Sequence, residues 1–199
     1  MKKTILSLSL SVLSILAVAT EKNAKHNHGE LTINTEKSSV EWIGKKVAGA
    51  HNGTIKVKEG KLQLHDNLLE SGTVVIDMAS ILCTDLEGEW KQKLEGHLSS
   101  PDFFDVANHK TAKLAITSSK KIENNKYTVK GNLTIKGITK PIEFPATIEV
   151  RDGKLGAYAE VKVDRTLYEI KYGSGKFFEG LGDKMIDDEF IIKFKVSAM

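Results

Sequence analysis

The stretch PIEFPATIEVRDGKLGAYAEVKV, residues 141–163, decides the fold. Ile142, Phe144, Ala146, Ile148 and Val150 are apolar at every second position, and Leu155, Ala157, Ala159, Val161 and Val163 repeat the pattern. Successive side chains of a strand point to opposite faces, so each run buries one face and wets the other. Between them lies Asp152-Gly153, a two-residue hairpin signal, because glycine accepts the positive φ such a turn requires.

The same period continues outward. Tyr127, Val129, Leu133 and Ile135 alternate, as do Phe190, Ile192, Phe194 and Val196. Further strands are expected over 40–47, 53–57, 61–65, 73–78 and 113–118, with turns at Glu59-Gly60 and Asn124-Asn125. Eight or nine strands with short connections form an antiparallel sheet, and one this wide with no helices to cover it curls and closes. The expected fold class is therefore all-β, an antiparallel β-barrel of about eight strands. A two-sheet sandwich is the competing architecture.

One segment breaks the alternation. Thr84 and Glu87 have capping-box spacing, and Leu86, Trp90, Leu94 and Leu98 then recur every four residues. Glu87 with Lys91 and Glu89 with Lys93 are favourable i,i+4 pairs, whereas Gly88 and Gly96 weaken the helix by roughly 1 kcal/mol each. The spacing predicts one helix covering an opening of the barrel.

The chain has 199 residues, 40% hydrophobic and 28% charged, which excludes a disordered chain and a multi-span membrane protein. Lys2 and Lys3, an apolar run and Ala17-Val18-Ala19 read as a secretory signal over 1–19. A polar leader over 20–30 follows, with His26 and His28 too few to close a metal site, then one domain over 31–197. The expected location is the periplasm or the exterior. Net charge is +3, two of it from Lys2 and Lys3, so no basic face for nucleic acid is expected.

Catalytic and metal motifs fail one after another. Gly173-Ser174-Gly175-Lys176 lacks the flanking residues of a phosphate loop, with Ile170 and Phe177 in their places. Tyr172 and Lys176 stand where a nucleophile elbow around Ser174 needs glycine. Asp183, Asp187 and Asp188 lack calcium-loop spacing and read as a solvated turn. Cys83, the single cysteine, reads either as a buried small hydrophobe or, if exposed, as a link in a homodimer. His97 falls roughly 20° from Leu86 on a wheel of about 100° per residue. It is either a satisfied core residue or a polar group at the barrel mouth.

In a soluble barrel the apolar set points inward. The candidate cavity-lining residues are Trp42, Ile76, Leu114, Ile116, Leu133, Ile135, Phe144, Ala146, Ile148, Ala157, Ala159, Val161 and Phe194. Small members of the set leave volume unfilled unless Phe144, Phe194 and Trp42 project into it, so a packed core and a lined cavity both stay open. Trp90, Leu94, His97, Phe103 and Phe104 are the candidates for the mouth.

Several ordered blocks resemble the YceI-like family. They are Trp42-Ile43-Gly44-Lys45-Lys46, Gly49-x-His51-x-Gly53 and Gly72-x-Val74-x-Ile76-Asp77-Met78 in the opening strands. Leu94-x-Gly96-His97-Leu98-x-Ser100-x-Asp102-Phe103-Phe104-Asp105 is similar to its helix and turn, and Gly131-Asn132-Leu133-Thr134-Ile135-Lys136-Gly137-x-Thr139-Lys140-Pro141 to its most recognisable strand. Asp164-Arg165-Thr166 and Tyr172-Gly173-Ser174-Gly175 extend the likeness, which covers about 31–196.

The resemblance implies an extended lipocalin-like barrel, exported to the periplasm, that holds a polyisoprenoid or similar long-chain amphiphile. It implies no catalytic residue, no metal and no cofactor other than a bound isoprenoid or quinone-like lipid. At about 0.8 kcal/mol per methylene, a tail of roughly 40 carbons transferred from water would exceed the ceiling on non-covalent affinity. Such a lipid starts in a bilayer, so most of that energy cancels, and transient membrane contact for exchange is expected. Two competitors remain: an envelope interaction protein with a solid core, and an enzyme built on His97 and Asp102.

Overall fold

The computed structural model describes residues 28–199; the expected signal over 1–19, and the leader as far as residue 27, including His26, lie outside the described residues. In chain order the strands are β1 (His28–Thr32), β2 (Ser39–Lys46), β3 (Gly49–His65), β4 (Leu68–Cys83), β5 (Thr111–Glu123), β6 (Lys126–Ile135), β7 (Ile138–Arg151), β8 (Lys154–Asp164) and β9 (Glu189–Ala198), with helix α1 (Gly88–Ser99) between β4 and β5. The leader's last residues, from His28, already pair with β3.

The hairpin between β7 and β8 turns as its sequence predicts. Asp152 and Gly153 take φ of 50° and 71°, the pair of positive values that matches strand twist. Every strand pairing is antiparallel, in the order β2-β9-β8-β7-β6-β5-β4, and β3 bonds to both β4 and β2. The sheet therefore closes into an eight-stranded barrel, and the sandwich is excluded. β1 enters the same seam as β2, pairing with β3 lower down while Thr32 and Met199 exchange backbone hydrogen bonds.

Closure bends the longest strands. Glu59-Gly60, expected as a turn, lies inside β3, so the two short strands predicted there are one of 17 residues. Register against β4 slips at Thr54/Lys56, Val57/Glu59 and Gln63/Leu64. Such bulges sharpen local twist and let a continuous strand round a corner. At Gly53 a Cβ would sit 1.8 Å from the Leu82 carbonyl oxygen and 2.6 Å from the Trp42 ring. Only glycine lets Trp42 lie across β3 there, with its indole N–H donating to Leu82 O at 3.2 Å.

The helix forms where expected, but its capping box does not. Glu87 is the N-cap and offers no side-chain cap, while the Thr84 hydroxyl donates instead to Asn52 Oδ1 at 2.9 Å. Gly88 opens the helix at φ 55°, a conformation that favours glycine, so it starts the helix and does not merely weaken it. Glu89 pairs with Lys93 at 3.5 Å, whereas Lys91 reaches Glu95 at 3.9 Å and not Glu87. The predicted stripe is also corrected. Leu86, Leu94 and Leu98 pack inward, but Trp90 is 71% exposed, with Lys93 Nζ 5.0 Å from its ring centroid. Among the described residues no helix is long and apolar enough to cross a membrane.

Candidate functional site

The barrel encloses a cavity of about 230 Å³. Its wall is apolar apart from Lys113, Arg165 and Asp187, all at the end where α1 lies. In the measure by which one water needs roughly 10–15 Å³, this is room for on the order of fifteen to twenty water-sized groups. Water in it would find almost no hydrogen-bond partners, so the space favours hydrocarbon.

Most of the inward positions read from the sequence border this space. Trp42, Ile76, Leu114, Ile116, Leu133, Ile135, Phe144, Ala146, Ile148, Ala157, Val161 and Phe194 line it. Ala159 does not: it is 2% exposed and packed into the wall. The strands twist as they cross the barrel, so two residues of one face, Ala157 and Ala159, look at different neighbours. Phe144 and Phe194 meet edge to face, centroids 5.7 Å apart, instead of plugging the interior. Gly131 is small for a different reason: a Cβ would stand 2.6 Å from the Ala115 carbonyl oxygen.

At the helix end Phe103 and Phe104 reach the cavity with Leu98, whereas Trp90, Leu94 and His97 do not line it. His97 is neither core nor cavity wall. Its ring packs edge-on against Phe103 at 4.7 Å and Tyr172 at 4.5 Å, with Nε2 3.7 Å from Asp102 Oδ2. Helix, turn and the 171–187 loop are thereby joined at one mouth.

That loop is anchored by a residue whose role sequence pattern did not reveal. Arg165 is 4% exposed and donates to four backbone carbonyls: Asp187 from Nε at 2.9 Å, Ile170 and Tyr172 from one terminal nitrogen at 2.8 and 2.9 Å, and Ile186 from the other at 3.0 Å. One guanidinium thus ties both ends of the loop together. Burial lowers its pKa from the usual range, opposed by Asp188, Asp164 and Asp187. Asp188 stands 3.8 Å away and, with Asp164, also holds Lys176. Of the acids expected to form a solvated turn, Asp183 and Asp187 are exposed, whereas Asp188 instead faces a buried cation. Ile170 and Ile186, flanking the loop, line the cavity without any periodic signal in the sequence.

Cys83 is fully buried, with its thiol donating to Asp85 at 3.0 Å. Burial and that bond raise its pKa, so the thiol is neither exposed for a link between chains nor disposed to ionise. Asp85 also meets His51 Nδ1 at 3.0 Å. Burial alone would raise the Asp85 carboxyl, but bonds from Cys83, the Asn52 amide and His51 hold it below its ordinary range. Among the described residues no group of three His, Cys, Asp or Glu side chains is placed to hold a metal.

Comparison with known proteins agrees with this architecture. The model of the YceI-like domain matches residues 31–198. A UPF0312 protein of Pseudomonas putida (strain F1) is 31% identical over 98 residues, 48% of each chain. One from Pseudomonas syringae pv. syringae is 45% identical over 51 residues, 26% of this chain and 27% of that one. The alignments thus span about half the length of the former relative and less of the latter. Burkholderia cenocepacia BcnA shares the fold with a TM-score of 0.68 at 22% identity, covering 84% of this chain and 99% of that one. A polyisoprenoid-binding domain from Saccharophagus degradans does so at 0.61 and 11%, covering 84% and 97%.

Proposed function

Since the chain belongs to the YceI-like domain family, we propose that it is an exported lipid-binding protein that holds an isoprenoid or similar long amphiphile in its barrel, for transport or storage in the cell envelope. The observation that carries this reading is the apolar cavity of about 230 Å³ running between the two ends of the barrel. A solid-core interaction protein has no use for such a space. The polyisoprenoid-binding domain of Saccharophagus degradans, which shares the fold, supports the choice of guest.

The volume sets the scale of that guest. Room for on the order of fifteen to twenty water-sized groups suits a chain of comparable carbon count. A tail of forty carbons leaves part of itself outside or requires the wall to move. With no polar group along most of the wall, the cavity grades guests by length and shape, and the helix end meets the head group. On this reading the guest is bound and released unchanged.

Organic extraction of purified protein followed by mass spectrometry tests the reading. The expected result is a bound lipid with an apolar chain, recovered unchanged. Protein from several expression hosts that yields no lipid and takes up no apolar fluorophore overturns it.

A further inference from the structure

The mouth carries apolar surface that neither the fold nor the cavity uses. Phe177 and Phe178 are adjacent in sequence yet 47% and 50% exposed; beside them Tyr172, Met185 and Val47 are 46%, 37% and 55% exposed. This is not slack chain. The amides of Phe177 and Phe178 both donate to the Ser174 carbonyl, at 3.1 and 3.0 Å, and Ser174 itself is fully buried. The Ile186 amide donates to Gly173 O at 2.8 Å and that of Val47 to Met185 O at 3.1 Å, tying the loop to the β2–β3 turn. Arg165 fixes its base. Large apolar side chains held outward by one hydrogen-bonded loop and the turn bonded to it mark an interaction surface.

We propose that this rim is where the protein docks on an anionic phospholipid bilayer to exchange its guest. The inference rests on the lipid-binding reading and adds the partner and the place. Two observations select a bilayer. The patch is continuous with the cavity wall, since Tyr172 packs 5.6 Å from Phe103 and the loop's flanks, Ile170 and Ile186, line the cavity. A guest leaving by this mouth passes from one apolar surface to the next.

The charges complement phosphate as well. Residues 45–48, 136–140 and 164–188 hold eight Lys and Arg against six Asp and Glu. Asp164 and Asp188 are taken up internally by Arg165 and Lys176. Among the described residues Lys45, Lys46 and Lys184 make no ion pair, and Glu179, Asp183 and Asp187 are the acids of these segments without one. Lys171, which pairs with Glu169, also sits with its Nζ 5.0 Å from the Phe177 ring centroid, an aromatic and ammonium pair suited to the headgroup level. Apolar insertion supplies most of the attraction, and a surplus of two cations adds a modest salt-sensitive part.

The test is flotation of purified protein with vesicles of equal parts phosphatidylethanolamine and phosphatidylglycerol, beside uptake of an apolar fluorophore delivered from solution. The wild type is expected to float, F177S/F178S to lose about tenfold or more in partitioning, and K45E/K46E to lose less, in a salt-dependent way. Fluorophore uptake stays as in the wild type in both variants. Wild-type protein that does not float, or variants that float equally, overturn the proposal even where uptake is normal. Absent uptake with normal flotation sinks the lipid-binding reading instead. A wild-type dimer that F177S/F178S converts to monomer, without flotation, shows the patch to be a contact between copies and also overturns it.

Discussion

Ala157 and Ala159 sit two residues apart on one face of β8, yet only Ala157 borders the cavity. Phenylalanine at 157 adds six carbons to a half-buried position whose neighbours across the strands are Ile148 and Val196. It displaces roughly six methylene-sized groups of guest, worth about 0.8 kcal/mol each for a guest arriving from water, or about 5 kcal/mol in all. A guest that shifts along the cavity recovers part of this, so uptake of an apolar fluorophore from buffer should weaken at least about a hundredfold. Stability should barely fall, because the ring enters existing space.

Ala159→Phe has no such space and should lose about 1–3 kcal/mol in urea unfolding through overpacking, with much smaller loss of uptake. Titration with a solvatochromic probe and denaturant melts of both variants suffice. Retained uptake in Ala157→Phe, or equal losses in the two, would refute the assignment of the cavity wall.

Arg165→Met removes four carbonyl hydrogen bonds and strands Asp188, so it should destabilise by about 3–5 kcal/mol and speed proteolysis within 171–187; a loss near zero in urea melts contradicts the clamp. Cys83 should resist an aromatic disulfide reagent at neutral pH until denaturant is added, as its buried, Asp85-bonded thiol implies; prompt native labelling contradicts it. Acid should expose the carboxylates. Burial alone would raise Asp164, but its bonds with Thr166 and Lys176 hold it low, and Asp85 is likewise depressed. Both are more acidic folded than unfolded, so their stabilisation is full above the ordinary aspartate value of about 3.9 and is lost as pH falls through their lowered values. Tm followed downward from neutral pH should drop in that window, and Asp164→Asn should flatten the drop.

The period-two runs disclosed part of the wall, because burial of one sheet face leaves no other pattern; Val40, Ile55, Leu69, Met78 and Ile81 also border the space and are not among the residues that reading singles out. The runs around Asp152-Gly153 predicted β7, β8 and most of what they contribute to the cavity. Failures came where local chemistry served the closed barrel. Glu59-Gly60 has turn composition, but closure needs a bend in a paired strand, and the sheet keeps its hydrogen bonds by bulging there. Thr84 has cap spacing, yet Asn52 on the neighbouring strand captures its hydroxyl first. Trp90 fits a helical stripe, but α1 lies against β4 with Leu94 and Leu98 inward and leaves Trp90 exposed. Ile170 and Ile186 flank an irregular loop, so periodicity could not find them. Arg165 donates its hydrogen bonds to backbone carbonyls, which carry no sequence signature, and meets a side chain only in its ion pair with Asp188.

The shape of the interior itself argues for a guest. The space of about 230 Å³ that the wall side chains leave between them is packing that the chain forgoes. Larger residues at Ala146 and Ala157, which both border the space, would recover some of it, whereas at Gly131 even a Cβ would meet the Ala115 carbonyl. Wall side chains meet one another along the lining, as Phe144 and Phe194 do. A fold that leaves so much stability unrealised, in a lining with almost nothing to hold water, gains it when hydrocarbon enters. Loaded protein should therefore melt well above emptied protein, and identical Tm values for the two forms would mean that the void is not the seat of binding.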